Sequence, residues 1–166
     1  MPNYRNKMKR VVKHLLSLNE EELKAFFYAD PFDKILRNIS TRSVDGDLAY
    51  NNKRMLDHYP RSEAANKIVQ AKNLTEKQKV KLLYLEHDEP ISIIKKEILE
   101  TKEKSPASVE DLAAIAERGL AVTLITKEEA GQIDNKYKCK MPDDGQTRYK
   151  ATDISVITAG QALQTN

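Results

Sequence analysis

The sequence predicts an α+β fold, with a helix-rich N-terminal half and a small two- or three-stranded sheet accompanied by helices in the C-terminal half. Two observations lead to this class. Apolar residues recur at helical spacing through most of residues 1–80, which is typical of amphipathic helices. Two short runs of β-favouring apolar residues follow, LAVTLI at 120–125 and ISVI at 154–157, and they indicate buried strands. We expect these two strands to be neighbours in the sheet.

Amphipathic helices account for most of the first half. The opening helix has a basic face opposite an apolar stripe, which consists of Tyr4, Met8, Val11, Val12 and Leu15. A second helix follows, and a third begins at Asp30-Pro31 with an apolar stripe of Phe32, Ile35, Leu36 and Ile39. The Asp45-Gly46 pair then predicts a loop.

Helix starts are predicted where Ser or Thr is followed three residues later by an acid or an amide. Four such pairs predict helix starts: Ser17 and Glu20, Thr75 and Gln78, Ser108 and Asp111, and Thr126 and Glu129. Gly119 stands where a left-handed C-terminal cap would be. Tyr84-Leu85 remains open as either a helix end or a brief strand, because the run is too short to show a period.

Composition favours one folded domain over residues 1–166, with a helical part at 1–80, an α+β part at 81–158 and a polar tail at 159–166. Hydrophobic residues make up 40% of the chain and charged residues 32%, which is too apolar for a disordered protein. No apolar stretch is long enough to span a membrane. The start MPNYRNKMKR lacks a signal-peptide core, so we expect a cytoplasmic protein with no membrane partner. Cys139 is the single cysteine, which excludes an internal disulfide.

Basic residues concentrate in the first half of the chain, although the net charge is only +3. Residues 1–15 contain Lys and Arg but no acid, and residues 67–81 contain five Lys and one Glu. Such patches attract phosphate backbones, but Lys-rich solvated helix faces have the same composition. The candidate nucleic-acid-binding residues are Arg5, Lys7, Lys9, Arg10, Lys13, Lys77, Lys79 and Lys81.

Several catalytic schemes lack their motifs. The sequence contains no glycine-rich phosphate loop and no GxSxG elbow, which argues against nucleotide-fold chemistry and a serine nucleophile. The histidines His14, His58 and His87 do not have the spacing of a zinc pair. We expect His14 to be a partly buried packing residue and His58 to lie near a helix end. Only His87 stands among other ionisable residues.

The segment EHDEP at 86–90 supports two interpretations. In the first, Glu86 holds a divalent metal ion while the neutral His87 imidazole takes a proton from water. This scheme needs a bend after Leu85, because neighbouring side chains of a strand point to opposite faces. In the second, the segment is a polar loop in which Asp88 or Glu89 caps the helix begun by Pro90.

The spacing Glu86-His87-x-x-Pro90 resembles the opening motif of His-Asn-His endonucleases, although the later motifs of that family are missing here. A broader set of segments resembles a family of bacterial proteins with no activity assigned. These segments are EHDEP, ITKEE at 125–129, Met141-Pro142 and Arg148-Tyr149. The resemblance implies that Glu86, His87, Glu128, Glu129 and Arg148 belong together, with Glu86 and Glu129 as candidate metal ligands.

Two functional hypotheses follow from these observations. The first is a small intracellular bacterial protein associated with nucleic acid through its basic regions, with metal-dependent nuclease-like chemistry at Glu86 and His87. A divalent metal ion is the candidate cofactor. The alternative is a non-enzymatic interaction module, an inhibitor or accessory protein, in which the same residues serve as loop and cap and the partner is a protein.

Overall fold

The computed structural model describes residues 4–29, 31–41, 53–56, 59–104 and 107–157, without the side chains of Tyr4, Arg5, Lys7 and Met8. The helices in these ranges are α1 (Tyr4–Leu16), α2 (Glu20–Tyr28), α3 (Pro31–Ser40), α4 (Glu63–Gln70), α5 (Glu76–Leu82), α6 (Ile91–Lys104), α7 (Val109–Arg118) and α8 (Lys127–Tyr137). The strands are β1 (Arg61–Ser62), β2 (Leu83–His87), β3 (Val122–Thr126) and β4 (Val156–Ile157). Short 3₁₀ turns occupy Lys53–Leu56 and Lys150–Thr152. The α+β class is therefore confirmed.

The four strands form one mixed sheet in the order β2-β3-β1-β4. β3 pairs antiparallel with β2 and parallel with β1, and β1 pairs antiparallel with β4. The expectation that LAVTLI and ISVI are neighbours is wrong, because β1 lies between β3 and β4. β1 has only two residues, which is too short to show an alternating pattern, and it comes from the half in which only helices were predicted.

The buried apolar residues form three clusters on the two sides of the sheet region. The largest joins α1, α2, α3, α6 and α7, and includes the fully buried Leu16, Leu23, Phe32, Ile94 and Ile98. A second cluster packs α4 and α5 against β2 and β3. A third packs α8 and Tyr149 against Ile125. β2 borders both smaller clusters, because Leu83 and Leu85 belong to one and Tyr84 contacts the other.

Three of the four predicted helix starts are confirmed. Thr75, Ser108 and Thr126 each form a complete capping box. At α2 the box is formed by Asn19 and Glu22, so the predicted pair of Ser17 and Glu20 is wrong. The Ser17 hydroxyl instead donates to the carbonyl of His14 at 2.6 Å, which places Ser17 at the end of α1.

Gly119 follows α7 in a right-handed conformation, with φ −65° and ψ −4°, so the predicted left-handed cap is wrong. A Cβ atom here would lie 3.3 Å from both the Ala116 carbonyl oxygen and Ile94 Cγ1. Close packing therefore explains this glycine. His14 is exposed, in contrast to the partly buried position predicted for it. The Asp45-Gly46 loop, His58 and the tail at 159–166 lie outside the described residues. Within those residues, no helix combines the length and apolar character of a membrane span.

Candidate functional site

β2 carries the two residues predicted to be catalytic, and it lies at one edge of the sheet as described. In its antiparallel register with β3, Glu86 is opposite Thr123 and His87 is opposite Val122. Pairing continues past the strand, because the Asp88 N–H donates to the Ala121 carbonyl at 3.0 Å. The chain is therefore extended through Glu86 and His87, and their side chains point to opposite faces. The bend that a joint site would need after Leu85 is not present.

Glu86 is paired with Arg148, which is 1% exposed. A guanidinium nitrogen of Arg148 lies 2.6 Å from Glu86 Oε1, and the same group donates to the carbonyls of Asp88 at 3.3 Å, Tyr137 at 3.2 Å and His87. Burial raises the pKa of the Glu86 carboxyl above its usual value, and the charge of Arg148 offsets part of this rise. Arg148 thus joins the end of β2, the end of α8 and its own segment.

His87 is buried, with 6% of its surface exposed. Its Nδ1 atom lies 2.8 Å from the Gly119 carbonyl oxygen, and since a carbonyl only accepts, Nδ1 carries the proton. Nε2 is then an acceptor. Burial, followed by the charge of Arg37, lowers the pKa of His87 to about 4. The imidazole is therefore neutral at neutral pH, with its open acceptor on Nε2.

Asp88 and Glu89 have contacts that differ from the capping role predicted for them. Asp88 Oδ1 accepts from the Thr123 hydroxyl at 2.8 Å and from the Tyr149 hydroxyl at 2.9 Å. Burial, and then the charge of Asp88, raises the pKa of Tyr149. Glu89 accepts two hydrogen bonds from Arg118, at 2.7 and 3.1 Å. These contacts tie the segment after β2 to β3, to α7 and to the Arg-Tyr segment.

Glu128 and Glu129 lie at the other end of β3 from Glu86. Thr126 is three positions along the strand from Thr123, the residue opposite Glu86, which is a distance of roughly 10 Å. Glu129 caps α8 by accepting from the Thr126 N–H at 2.8 Å, and it also accepts from the Ser62 hydroxyl at 2.6 Å. Glu128 is exposed. The structure therefore brings Glu86 and Arg148 together but does not bring Glu128 or Glu129 to them.

The two candidate metal ligands, Glu86 and Glu129, are accordingly too far apart to share an ion. Each carboxylate is already engaged, the first by Arg148 and the second by Ser62 and the α8 backbone. No group of three or more His, Cys, Asp or Glu side chains suited to a metal ion occurs in the part of the chain that the structure describes.

The predicted basic residues are placed on two separate surfaces. On α1, Lys9 pairs with Glu117 at 2.8 Å and Lys13 pairs with Glu110 at 3.4 Å, while Arg10 is exposed. The side chains of Arg5 and Lys7 lie outside the described part of the structure. On α5, Lys77 and Lys81 are exposed, and Lys79 Nζ donates to the Val69 carbonyl at 2.5 Å. Part of the α1 charge is therefore neutralised by α7.

A cationic groove lies between α3 and β2, and His87 is the one predicted site residue among its described lining residues. We call it the α3–β2 groove; it is a cavity of about 340 Å³ lined by Lys34, Arg37, Asn38, Thr41, Tyr84, Leu85 and His87. Among the described residues, its lining contains two cations and no carboxylate. Lys34 and Arg37 are exposed, and neither forms a salt bridge with any described residue. The groove is thus an open cationic site.

The α3 side of the groove follows from the helical repeat. Its four residues fall at i, i+3, i+4 and i+7, which is one face of a helix: Lys34, Arg37, Asn38 and Thr41. The opposite face is the buried stripe that includes Phe32, Leu36 and Ile39. The sequence therefore contained the signal for a polar face on α3. It contained no signal for the strand that this face meets, because β2 is more than forty residues away.

A second cavity of about 270 Å³ adjoins the groove on the Arg148 side. The two cavities share Arg37, Tyr84 and His87 as lining residues. The second cavity contains Glu86, Asp33 and Asp134, so it has mixed charge. Asp33 and Glu86 are paired with Lys95 and Arg148, at 2.8 and 2.6 Å. Of these two cavities, the α3–β2 groove is therefore the one whose described lining has cations without a carboxylate.

The chain matches no protein-family model, no curated protein and no solved structure. The resemblance based on the EHxxP, ITKEE, Met-Pro and Arg-Tyr segments therefore stays a prediction. The contacts among these segments stand independently of it. Glu86 with Arg148, and Asp88 with Tyr149, join the first segment to the last across about sixty residues of sequence.

Proposed function

We propose that this chain is a non-enzymatic nucleic-acid-binding protein that holds a single-stranded phosphate backbone in the α3–β2 groove. The observation that carries the proposal is the exposed pair of Lys34 and Arg37 in a concave site, where the described lining residues include no carboxylate. Lys and Arg are the side chains that neutralise backbone phosphates, with release of counterions. A guanidinium also binds a phosphate through two parallel hydrogen bonds.

One further lining residue suits a nucleotide. Asn38 contributes a side-chain amide, and amides contact phosphates and sugars in many nucleic-acid complexes. The Thr41 hydroxyl already donates to the Arg37 carbonyl at 2.6 Å, and Tyr84 packs against the apolar cluster of Ile125, Ile133 and Tyr149. A cavity of about 340 Å³ lies within the range of small-ligand sites.

The basic face of α1 supports this function less well than α3 does. Lys9 and Lys13 already have carboxylate partners on α7, so a phosphate would have to compete with them. Cleavage is not part of the proposal, because the Glu86 carboxylate is engaged by Arg148. The lowered pKa of His87, about 4, also makes its imidazole a weak general base at neutral pH.

The first prediction concerns the charge of the groove. We expect Lys34→Ala/Arg37→Ala to weaken binding of a labelled single-stranded oligonucleotide on the order of tenfold, because two phosphate contacts are lost. Fluorescence anisotropy at several salt concentrations measures this change. The slope of log affinity against log salt should fall in magnitude by about 1.4, which is the contribution of two phosphates on a single strand.

The matched control is Lys77→Ala/Lys81→Ala, which removes the same charge from exposed positions of α5. We expect this variant to bind nearly as tightly as the wild type. Equal losses of affinity in both double variants would show that the oligonucleotide is attracted to positive charge in general. This result would contradict binding in the α3–β2 groove. Binding that does not depend on salt, or no binding at low salt, would overturn the function and favour a protein partner held by apolar contacts.

A further inference from the structure

We propose that the α3–β2 groove prefers RNA to DNA, because Nε2 of His87 accepts a hydrogen bond from a ribose 2′-hydroxyl. This inference rests on the proposed function and specifies its ligand. His87 is here a specificity-determining residue, and no bond is made or broken.

The tautomer of His87 is fixed by the fold. Nδ1 lies 2.8 Å from the Gly119 carbonyl oxygen, which can only accept, so the proton is on Nδ1 and the lone pair is on Nε2. Nε2 has no hydrogen-bond partner among the described residues, although the side chain is more than nine-tenths buried. His87 lines both the groove and the adjoining cavity. Nε2 is not among the fully buried unpartnered atoms of the described residues, so this acceptor is open to a ligand.

The charged groups that line the α3–β2 groove with this acceptor are donors, whereas the carboxylates of Glu86, Asp33 and Asp134 line the adjoining cavity. Lys34 and Arg37 present ammonium and guanidinium N–H groups to the same groove, and these groups never accept. A ligand that satisfies every group must therefore carry anionic acceptors and, close to them, one neutral donor. A phosphate alone supplies only the first of these. A deoxyribonucleotide backbone likewise has no donor on its sugar.

A ribonucleotide supplies both requirements. Its 2′-hydroxyl is a donor and stands on the carbon next to the one that carries the 3′-phosphate, so donor and anion are separated by a few bonds. The 2′-hydroxyl is also the group by which proteins distinguish RNA from DNA. Arg37 and His87 line the same groove, so the proposal places the phosphate at Arg37 and the hydroxyl at His87.

The test compares three oligonucleotides of one sequence: RNA, DNA and 2′-fluoro RNA. The fluoro strand keeps an RNA-like sugar but has no donor at the 2′ position. We expect the wild-type chain to bind RNA about threefold to tenfold more tightly than either other strand, as one neutral hydrogen bond provides. Anisotropy titrations at a single low salt concentration measure the three affinities.

The matched variant is His87→Asn, whose amide N–H replaces Nδ1 toward Gly119 but which has no acceptor at the Nε2 position. We expect it to bind all three strands with the affinity that the wild type has for DNA. Thermal unfolding of His87→Asn, followed by circular dichroism, shows whether the variant keeps the fold. If it does not, the wild-type comparison of RNA with 2′-fluoro RNA still tests the inference.

The outcomes separate this inference from the proposed function. Salt-dependent binding of all three strands with equal affinity would leave the nucleic-acid function standing and overturn the role of His87. Equal binding of RNA and 2′-fluoro RNA, both tighter than DNA, would assign the preference to sugar conformation and also overturn it. Absence of binding to any strand would overturn the function itself.

Discussion

Two buried polar residues, His87 and Arg148, lie close together but differ in how many of their hydrogen-bonding groups have a partner. Each nitrogen of the Arg148 guanidinium has at least one partner, since it pairs with Glu86 and donates to three backbone carbonyls. His87 has one partner, the Gly119 carbonyl. Nε2 of His87 has no partner among the described residues, but it is not among their fully buried unpartnered atoms. It is therefore the ring nitrogen that a molecule in the neighbouring cavity can reach.

The lowered pKa of His87 predicts a loss of stability in acid. Its folded value is about 4 and its unfolded value is about 6.5, so the unfolded chain binds more protons between these limits. Stability is fully present above about pH 6.5 and declines as the pH falls toward 4, by up to about 3 kcal/mol from this residue alone. Urea unfolding near pH 7 and near pH 4.5 should show this decline in the wild type.

The variant His87→Asn should remove most of that decline, because asparagine does not titrate. The control is His14→Asn, at an exposed position, which should leave the pH dependence as it is in the wild type. A His87→Asn chain that loses as much stability as the wild type between the two pH values would show that other groups cause the acid sensitivity.

The residues of this region were only partly predictable from the sequence. Glu86 and Arg148 were grouped by a resemblance between segments, and they do meet, at 2.6 Å. Glu129 was placed in the same group, but the antiparallel register sends it to the far end of β3. Register depends on which residues of two distant segments pair, and the strand pattern alone does not specify this. Lys34 and Arg37 were not considered, because their importance arises only where α3 meets β2.

At the scale of elements, helices were predicted better than strands because their signals are local. The caps at Thr75, Ser108 and Thr126 involve residues three positions apart, and such spacing can be found in the sequence. β1 consists of two residues held between β3 and β4, so its state is determined by its neighbours. The junction of β3 and α8 has both a local contact and a distant one. Glu129 caps its own helix, and it also accepts a hydrogen bond from Ser62 of β1.

The junction of β3 and α8 leads to a prediction about Glu129. We expect Glu129→Ala to lower the free energy of unfolding by about 2 kcal/mol, because a helix cap and a hydrogen bond to the sheet are lost together. The control is Glu22→Ala, which removes the corresponding acid from the exposed capping box of α2 and should lower stability by about 1 kcal/mol or less. Urea unfolding measures both values. Equal losses would mean that the bond to Ser62 contributes nothing.

At the scale of the whole molecule, the helical cluster and the sheet meet where the groove is found. The larger apolar cluster contains α3 and α6, whereas β2 belongs to the clusters around the sheet. The groove follows the boundary between them, with Lys34 and Arg37 on one side and Tyr84 and His87 on the other. The hydrogen bond from His87 to Gly119 crosses this boundary. The position of the site thus depends on how the two parts pack, which no single segment of sequence encodes.

Arg148 holds three separate parts of the sheet side together, and this gives the last prediction. We expect Arg148→Met to lower the free energy of unfolding by about 3 to 5 kcal/mol, because it leaves the Glu86 carboxylate buried without its cation. The variant also leaves the carbonyls of Tyr137, His87 and Asp88 without their donor. Urea unfolding at neutral pH measures the loss.

The matched control is Arg118→Met, which also removes an arginine bound to two carboxylates, Glu89 and Glu97. That side chain is 43% exposed, so water can replace the ion pairs and the loss should be about 1 kcal/mol. Adding Glu86→Gln to Arg148→Met should restore part of the lost stability, because the unpaired buried charge is removed. Equal losses of unfolding free energy in Arg148→Met and Arg118→Met would contradict this explanation. So would a Glu86→Gln change that restores no stability to Arg148→Met, because the loss would then not come from the unpaired Glu86 charge.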